Sequence, residues 1–191
     1  MHGATKGDSR GWPIVAGCTA VSATVAAAEI RQYGRGEPGV RRALRATAYA
    51  TFVPFIVAIS SEPLARRVDH PGSRWLARRA RWFGLGAAVS HCVIHAGLIA
   101  ALVRVHEGGG TGLRMESIPG APGYLALGVL VRRWASDQTG TNVHRLAEDY
   151  VLGVFTAAIV HGYLTKGRRW QVYAPLSGCA SGAWAIRLAE R

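Results

Sequence analysis

The sequence predicts an all-α fold, a membrane bundle of about six transmembrane helices, and three observations predict it. The 191-residue chain is 49% apolar, yet its mean hydropathy is only +0.12, because its charged residues are gathered between apolar stretches. Six stretches lack Asp, Glu, Lys and Arg altogether: residues 11–28, 46–61, 82–103, 117–131, 150–165 and 170–186. None of them carries the interleaved charged face of a soluble surface helix. A bilayer core about 30 Å thick needs roughly 20 helical residues, which these stretches and their flanks supply.

Turn and capping signals between the stretches give the order of the helices. Pro13 suits a first helical turn, and the glycine-rich run 34–39 is a loop. Further breaks are predicted at residues 69–73, 107–112, 137–142 and 166–169. The helices are then expected at about residues 12–31, 40–65, 74–105, 123–134, 143–164 and 170–186. Residues 1–191 are expected to form one domain, with a polar N-terminal segment at 1–11.

The net charge of +12 raises the possibility of a nucleic-acid partner, but its distribution disfavours one. The basic residues lie between the apolar stretches rather than along one amphipathic face. Six arginines crowd the connection between the second and third helices: Arg66, Arg67, Arg74, Arg78, Arg79 and Arg81. Clusters of this kind contact anionic lipid headgroups. The expected partner is therefore the lipid bilayer, and a soluble, nucleic-acid-binding bundle is the competing interpretation.

The three cysteines and the N-terminus indicate no further processing or metal chemistry. Cys18, Cys92 and Cys179 each lie within an apolar stretch, and no CxxC pair occurs. A zinc site and a disulfide framework are both disfavoured, and buried cysteines acting as small hydrophobes are expected. The first residues lack a short apolar core followed by a cleavage site, so a removable signal peptide is not predicted.

Four histidines inside or bordering the apolar stretches are the candidate site residues. His91 and His95 lie in the third helix, and His144 and His161 lie near the two ends of the fifth. Ionisable residues within a membrane span are costly and usually face a functional interior. A single such histidine is more simply a hydrogen-bonding residue between helices. Four on two helices favour metal or cofactor ligation.

Haem b is the cofactor that this pattern suits best. Carboxylate-type iron, zinc or manganese sites need Asp or Glu beside the histidines, and the third stretch has none. The HExxH motif is absent, since Cys92-Val93-Ile94 separates the two histidines. Neutral imidazoles among small residues leave room for one or two flat macrocycles. Arginines able to pair with haem propionates, or equally with lipid headgroups, are Arg78, Arg79, Arg81 and Arg145.

Helix geometry limits how these histidines share a cofactor. His91 and His95 are about 6 Å apart on one face, so at most one of them is expected to bind iron there. By depth along the helices, His95 with His161 is the closest match, and His91 with His144 is the next. Neither pair is level, and the pairing stays open.

Several short stretches resemble the ferric reductase-like transmembrane proteins, a family that includes haem-binding membrane subunits of bacterial methionine sulfoxide reductases. They are residues 73–79 leading into Phe83-Gly84-Leu85, Ser90-His91 with His95, Gly123-Tyr124-Leu125, residues 143–146 with Tyr150, and Tyr163-Leu164. The resemblance covers roughly residues 40–190. It implies six helices, b-type haem held by histidines of the third and fifth helices, and electron transfer across a bacterial inner (cytoplasmic) membrane.

Carried over by position, His95 or His91 is the implied ligand of the third helix, and His144 matches the histidine of the family's His-Arg-Leu motif. His161 is 17 residues further on, a wider spacing than the family's usual one, so it is either a displaced ligand or none. A basic, tryptophan-containing run that usually precedes the motif is replaced by residues 138–142.

The function predicted from these features is transfer of single electrons through membrane-bound haem b. A quinol or a reduced flavin is the expected donor, and a partner protein is expected to complete any oxidoreductase activity, because no glycine-rich dinucleotide fingerprint occurs. The alternative is a non-redox transporter or scaffold whose histidines line a proton or metal path.

Overall fold

A computed structural model describes residues 11–106, 120–136, 141–165 and 170–189 of the chain. These residues form six helices and no strand: α1 Trp12–Tyr33, α2 Glu37–Arg67, α3 Pro71–His106, α4 Gly120–Ser136, α5 Asn142–Thr165 and α6 Trp170–Leu188. The predicted all-α fold with six helices is confirmed. The predicted glycine-rich loop at 107–112 and nearly all of the polar N-terminal segment lie outside the described residues.

The connections at the ends of α1 and α2 are short because their residues suit tight turns. Gly34 follows α1 with a φ of +83°, a left-handed conformation that favours glycine, and its N–H donates to Ile30 O. A Cβ on Gly39 would lie 1.9 Å from Gly34 O, so the first turn of α2 also needs a glycine. Between α2 and α3, the Ser73 hydroxyl donates to the carbonyls of Val68 and His70.

Three helices begin about three residues earlier than the sequence predicted, among them α4, which begins at Gly120 rather than at 123. The expected starts were 40 for the second helix and 74 for the third, whereas α2 begins at Glu37 and α3 at Pro71. Pro38 and Pro71 were assigned to turns. Each lies in a first helical turn, where the missing N–H has no partner to lose and the fixed φ already suits a helix.

Neighbouring helices close into a ring, with α1 outside it. The most extensive contact is between α2 and α3, and α1 packs against both of them. From α3 the ring continues through α4, α5 and α6 back to α2. Its largest fully buried side chains are Phe52, Phe55, Leu130, Leu152 and Ile159. The core therefore lies between α2 and the α4–α6 half of the bundle.

Three helices are long and apolar enough to cross a membrane: α1, α2, and α3 over Pro71–Val105. Of the apolar 18-residue segment of α1, only 17% is buried within the protein, and of the corresponding segment of α3, 28%. So much outward-facing apolar surface is abnormal for a soluble monomer and normal for a lipid-facing helix. Association with a membrane follows. Of the other described helices, none meets the same criterion of length and hydropathy.

Candidate functional site

The two histidines of α3 stack on each other inside the helix ring. His91 and His95 are four residues apart, and their ring centroids are 4.4 Å apart with the planes inclined by only 17°. Both side chains are partly buried. One turn of α3 therefore presents two parallel imidazoles side by side, as the i, i+4 spacing predicted.

Two threonines of α2 line one side of this pair. Thr51 Oγ1 lies 3.3 Å from His91 Nδ1, and Thr47 Oγ1 lies 3.4 Å from His95 Nδ1. Thr47 and Thr51 are themselves four residues apart, and α2 runs antiparallel to α3. The two i, i+4 pairs consequently meet in register, each threonine opposite one histidine.

Each of these threonines also bonds to its own helix. Thr47 Oγ1 donates to Ala43 O at 2.9 Å, with Leu44 O at 3.1 Å, and Thr51 Oγ1 donates to Ala48 O at 2.9 Å. Both threonines are almost fully buried, at 1% and 2% exposed. Neither hydroxyl is accessible to water, so the carbonyls and the imidazoles account for its hydrogen bonding.

Aromatic rings from α4 and α5 complete the surroundings of His91. The ring centroid of Tyr124 lies 5.6 Å from that of His91, and the ring of Phe155 lies 6.1 Å away in an edge-on arrangement. Phe155 in turn packs on Phe52 of α2 at 5.1 Å. Side chains of α2, α4 and α5 thus converge on His91 of α3.

His144, a predicted ligand, lies at the N-terminus of α5 and performs a capping role. Its Nδ1 accepts the backbone N–H of Thr141 at 3.1 Å, and the Thr141 hydroxyl lies at the same distance. Thr141 precedes the helix, and His144 is its third residue, so the pair occupies the two positions of a capping box. His144 is eleven residues before Phe155, or about 16 Å along the helix.

His161, the other predicted α5 ligand, lies toward the opposite end of that helix and is exposed. It is six residues beyond Phe155, or about 9 Å along the axis. The inward stripe of α5 runs through Val151, Leu152 and Ile159, which are buried, and His161 is outside that stripe. The structure therefore brings His91 and His95 together, whereas His144 is engaged in the cap of α5 and His161 occupies an exposed position of that helix.

A buried ionic cluster joins α4, α5 and α6, and the sequence did not predict it. Glu148, only 6% exposed, pairs with Arg133 of α4 through one oxygen and with Arg187 of α6 through the other, the latter at 2.7 Å. Arg187 Nε also bonds to Asp149 at 2.7 Å. Burial alone would lower the pKa of the Arg187 guanidinium, but the two carboxylates raise it above its ordinary value. The sequence shows Glu148-Asp149 as an acidic pair, but it does not show that Arg133 and Arg187 of two other helices are its partners.

Two of the four arginines proposed for haem propionates, Arg79 and Arg81, lie over tryptophan rings. Arg79 lies over the Trp75 ring and Arg81 over the Trp82 ring, each at 4.7 Å from the centroid. Arg81 is ten residues before His91, which is about 15 Å along α3. These stacked pairs of arginine and tryptophan are typical of a membrane–water interface.

Within the described parts of the chain, no group of three or more His, Cys, Asp or Glu side chains could hold a metal ion. Comparison with protein-family models, with curated proteins and with solved structures finds no match. The geometry of the chain itself is what bears on function.

Proposed function

We propose that this protein is a membrane electron-transfer protein that holds haem b through the His91–His95 pair of α3. The single observation that supports the proposal most is this pair of parallel, partly buried imidazoles within an apolar span. Histidine side chains are expensive in such a place unless they bind something or exchange protons. Imidazole is the usual axial ligand of b-type haem.

The residues present include two candidate iron ligands on one helix. His91 or His95 would hold the iron from α3, and Tyr124 and Phe155 are the aromatic side chains beside His91. On α5, His144 is engaged in the helix cap and His161 is exposed. The second ligand that the family resemblance implied on helix 5 is therefore not assigned, and the proposal is restricted to α3.

When bound, haem would supply one-electron redox chemistry. The chain's own contribution is to hold the ligand ring against α2, and to limit the access of water with the buried side chain of Phe52 and the partly buried side chain of Phe155. A quinol or reduced flavin as donor, a redox partner protein as acceptor, and residence in a bacterial inner membrane complete the proposal.

The test is the absorption spectrum of the full chain, purified in detergent after expression with haem supplied. We expect a Soret band that shifts on reduction with dithionite, together with α and β bands. A folded protein without these bands would overturn the haem proposal.

A second candidate function is a non-redox transporter or scaffold in which the same pair lies on a proton or metal path. The observation that favours it is the pair itself, two ionisable side chains one helical turn apart within an apolar span. Such a protein is expected to be colourless, so the same spectrum separates the two candidates.

A further inference from the structure

The two buried threonines of α2 offer His91 and His95 an acceptor rather than a donor. A threonine hydroxyl has one proton, and in Thr47 and Thr51 that proton is donated to a carbonyl of α2 itself. What each oxygen still presents to the imidazole Nδ1, at 3.4 and 3.3 Å, is a lone pair. An unprotonated Nδ1 there would set two lone pairs against each other with no proton between them.

We infer that Thr47 and Thr51 are positioning residues that hold His95 and His91 in the tautomer with the proton on Nδ1, leaving both Nε2 lone pairs free to bind a ligand. The imidazole N–H donates to the threonine oxygen, and the ring is neutral. Because each Nδ1 faces a threonine of α2, the two Nε2 atoms lie on the sides of the rings away from α2. As a ligand assignment for haem, the inference rests on the proposed function.

His144 is held in the opposite tautomer by the same kind of reasoning. Its Nδ1 accepts the backbone N–H of Thr141, which can only donate. In the neutral ring the proton is therefore on Nε2, and that nitrogen has no free lone pair. Of these three described histidines, only the two on α3 are ready to bind iron or another transition metal through Nε2.

The test is a long-range ¹H–¹⁵N spectrum of the full chain in detergent, labelled at histidine and recorded before haem is added. Single His→Gln variants at 91, 95 and 144 assign the signals. We expect the Nδ1–H pattern for His91 and His95 and the Nε2–H pattern for His144. An Nε2–H pattern for either α3 histidine would overturn the inference for that residue.

Matched threonine variants separate hydrogen bonding from packing. Thr51→Val keeps the shape but removes the acceptor, so His91 is expected to lose the pure Nδ1–H pattern while His95 and His144 keep theirs. Thr51→Ser restores an acceptor and is expected to restore the pattern. If Thr51→Val leaves the His91 signals unchanged in a folded protein, Thr51 does not set the tautomer.

Haem titration into the same samples distinguishes this inference from the proposed function. If the spectra show the expected tautomers but the protein takes up no haem, the positioning role stands and the haem proposal fails. If the protein takes up haem but His91 and His95 have the proton on Nε2, the haem proposal stands and the positioning role fails. If both hold, removing the acceptor beside the iron ligand is expected to shift the midpoint reduction potential upward, through Thr51→Val if the ligand is His91 and through Thr47→Val if it is His95. The reason is that an Nδ1–H bond to an acceptor raises the basicity of the ligand.

Discussion

Glu148 is the residue whose replacement we expect to destabilise the protein most. Its two oxygens pair with Arg133 and Arg187, and it is buried. Removing one partner of a buried ionic group costs about 3–5 kcal/mol, because the remaining charges stay desolvated. For Glu148→Gln, which keeps the shape and some hydrogen bonds, we expect about 3 kcal/mol, or roughly 6–12 °C in midpoint temperature. Circular dichroism of the detergent-solubilised protein measures it.

Asp69 provides the matched control. Its side chain is 87% exposed and pairs only loosely with Arg74, at 3.5 Å. Exposed ion pairs contribute about 0–1 kcal/mol, so Asp69→Asn is expected to leave the midpoint almost unchanged. Equal effects of the two substitutions would contradict a special role for the α4–α6 cluster.

At the level of residues, the sequence located the α3 histidines but not the groups around them. Their stacking follows from i, i+4 spacing, which is local and readable. Thr47 and Thr51 lie opposite the two histidines because of the register between α2 and α3. Nothing in the sequence pattern specifies that register. The cap at His144 was readable in hindsight, since Thr141 and His144 have the spacing of a capping box with histidine in place of Glu or Gln.

Close approach of α3 and α4 depends on Gly84. A Cβ at this position would lie 2.4 Å from the Trp134 ring, so Gly84→Ala forces the buried indole or the helix to move. Overpacking of this kind costs about 1–3 kcal/mol. The control is Gly97→Ala on the same helix, where nothing lies within 4 Å of the added atom. There alanine is expected to stabilise by about 0.5–1 kcal/mol.

The midpoint temperatures of thermal unfolding of the two variants are therefore expected to change in opposite directions, with Gly84→Ala below the unsubstituted protein and Gly97→Ala above it. A midpoint for Gly84→Ala at or above that of the unsubstituted protein would mean that α4 does not pack on α3 as described.

Element type was predictable here, while element ends and partners were less so. Charge-free stretches separated by glycine and proline gave all six helices. The early starts of α2 and α3 were missed because Pro38 and Pro71 are equally at home in a turn and in a first helical turn. α6 closes the ring by packing on α2, and this contact joins residues more than a hundred positions apart in the sequence. An example is Tyr49 and Tyr173, whose hydroxyl oxygens are 3.4 Å apart.

For the whole molecule, the six-span arrangement makes a specific prediction about sidedness. If every helix crosses the bilayer, the turn after α2 and the end of α4 lie on one side, and the turn after α1 lies on the other. With the native cysteines replaced by alanine, Asp69→Cys and Ser136→Cys are expected to react with an impermeant maleimide from the same side, and Arg35→Cys from the opposite side.

The 17-residue α4 is the informative helix in this experiment. It is shorter than the three helices that meet the length and hydropathy criterion for crossing a membrane. Labelling of Ser136→Cys from the same side as Arg35→Cys would mean that α4 does not cross the membrane.

Reduced-minus-oxidised absorption spectra of three forms of the protein decide whether the α3 pair holds haem b. The forms are the unsubstituted chain, the double variant His91→Ala/His95→Ala, and His144→Gln, in which glutamine retains a capping-box residue. We expect an α band in the unsubstituted chain and in His144→Gln, and its loss in the folded double variant. Loss in His144→Gln with retention in the double variant would contradict the claim and move the ligand to α5.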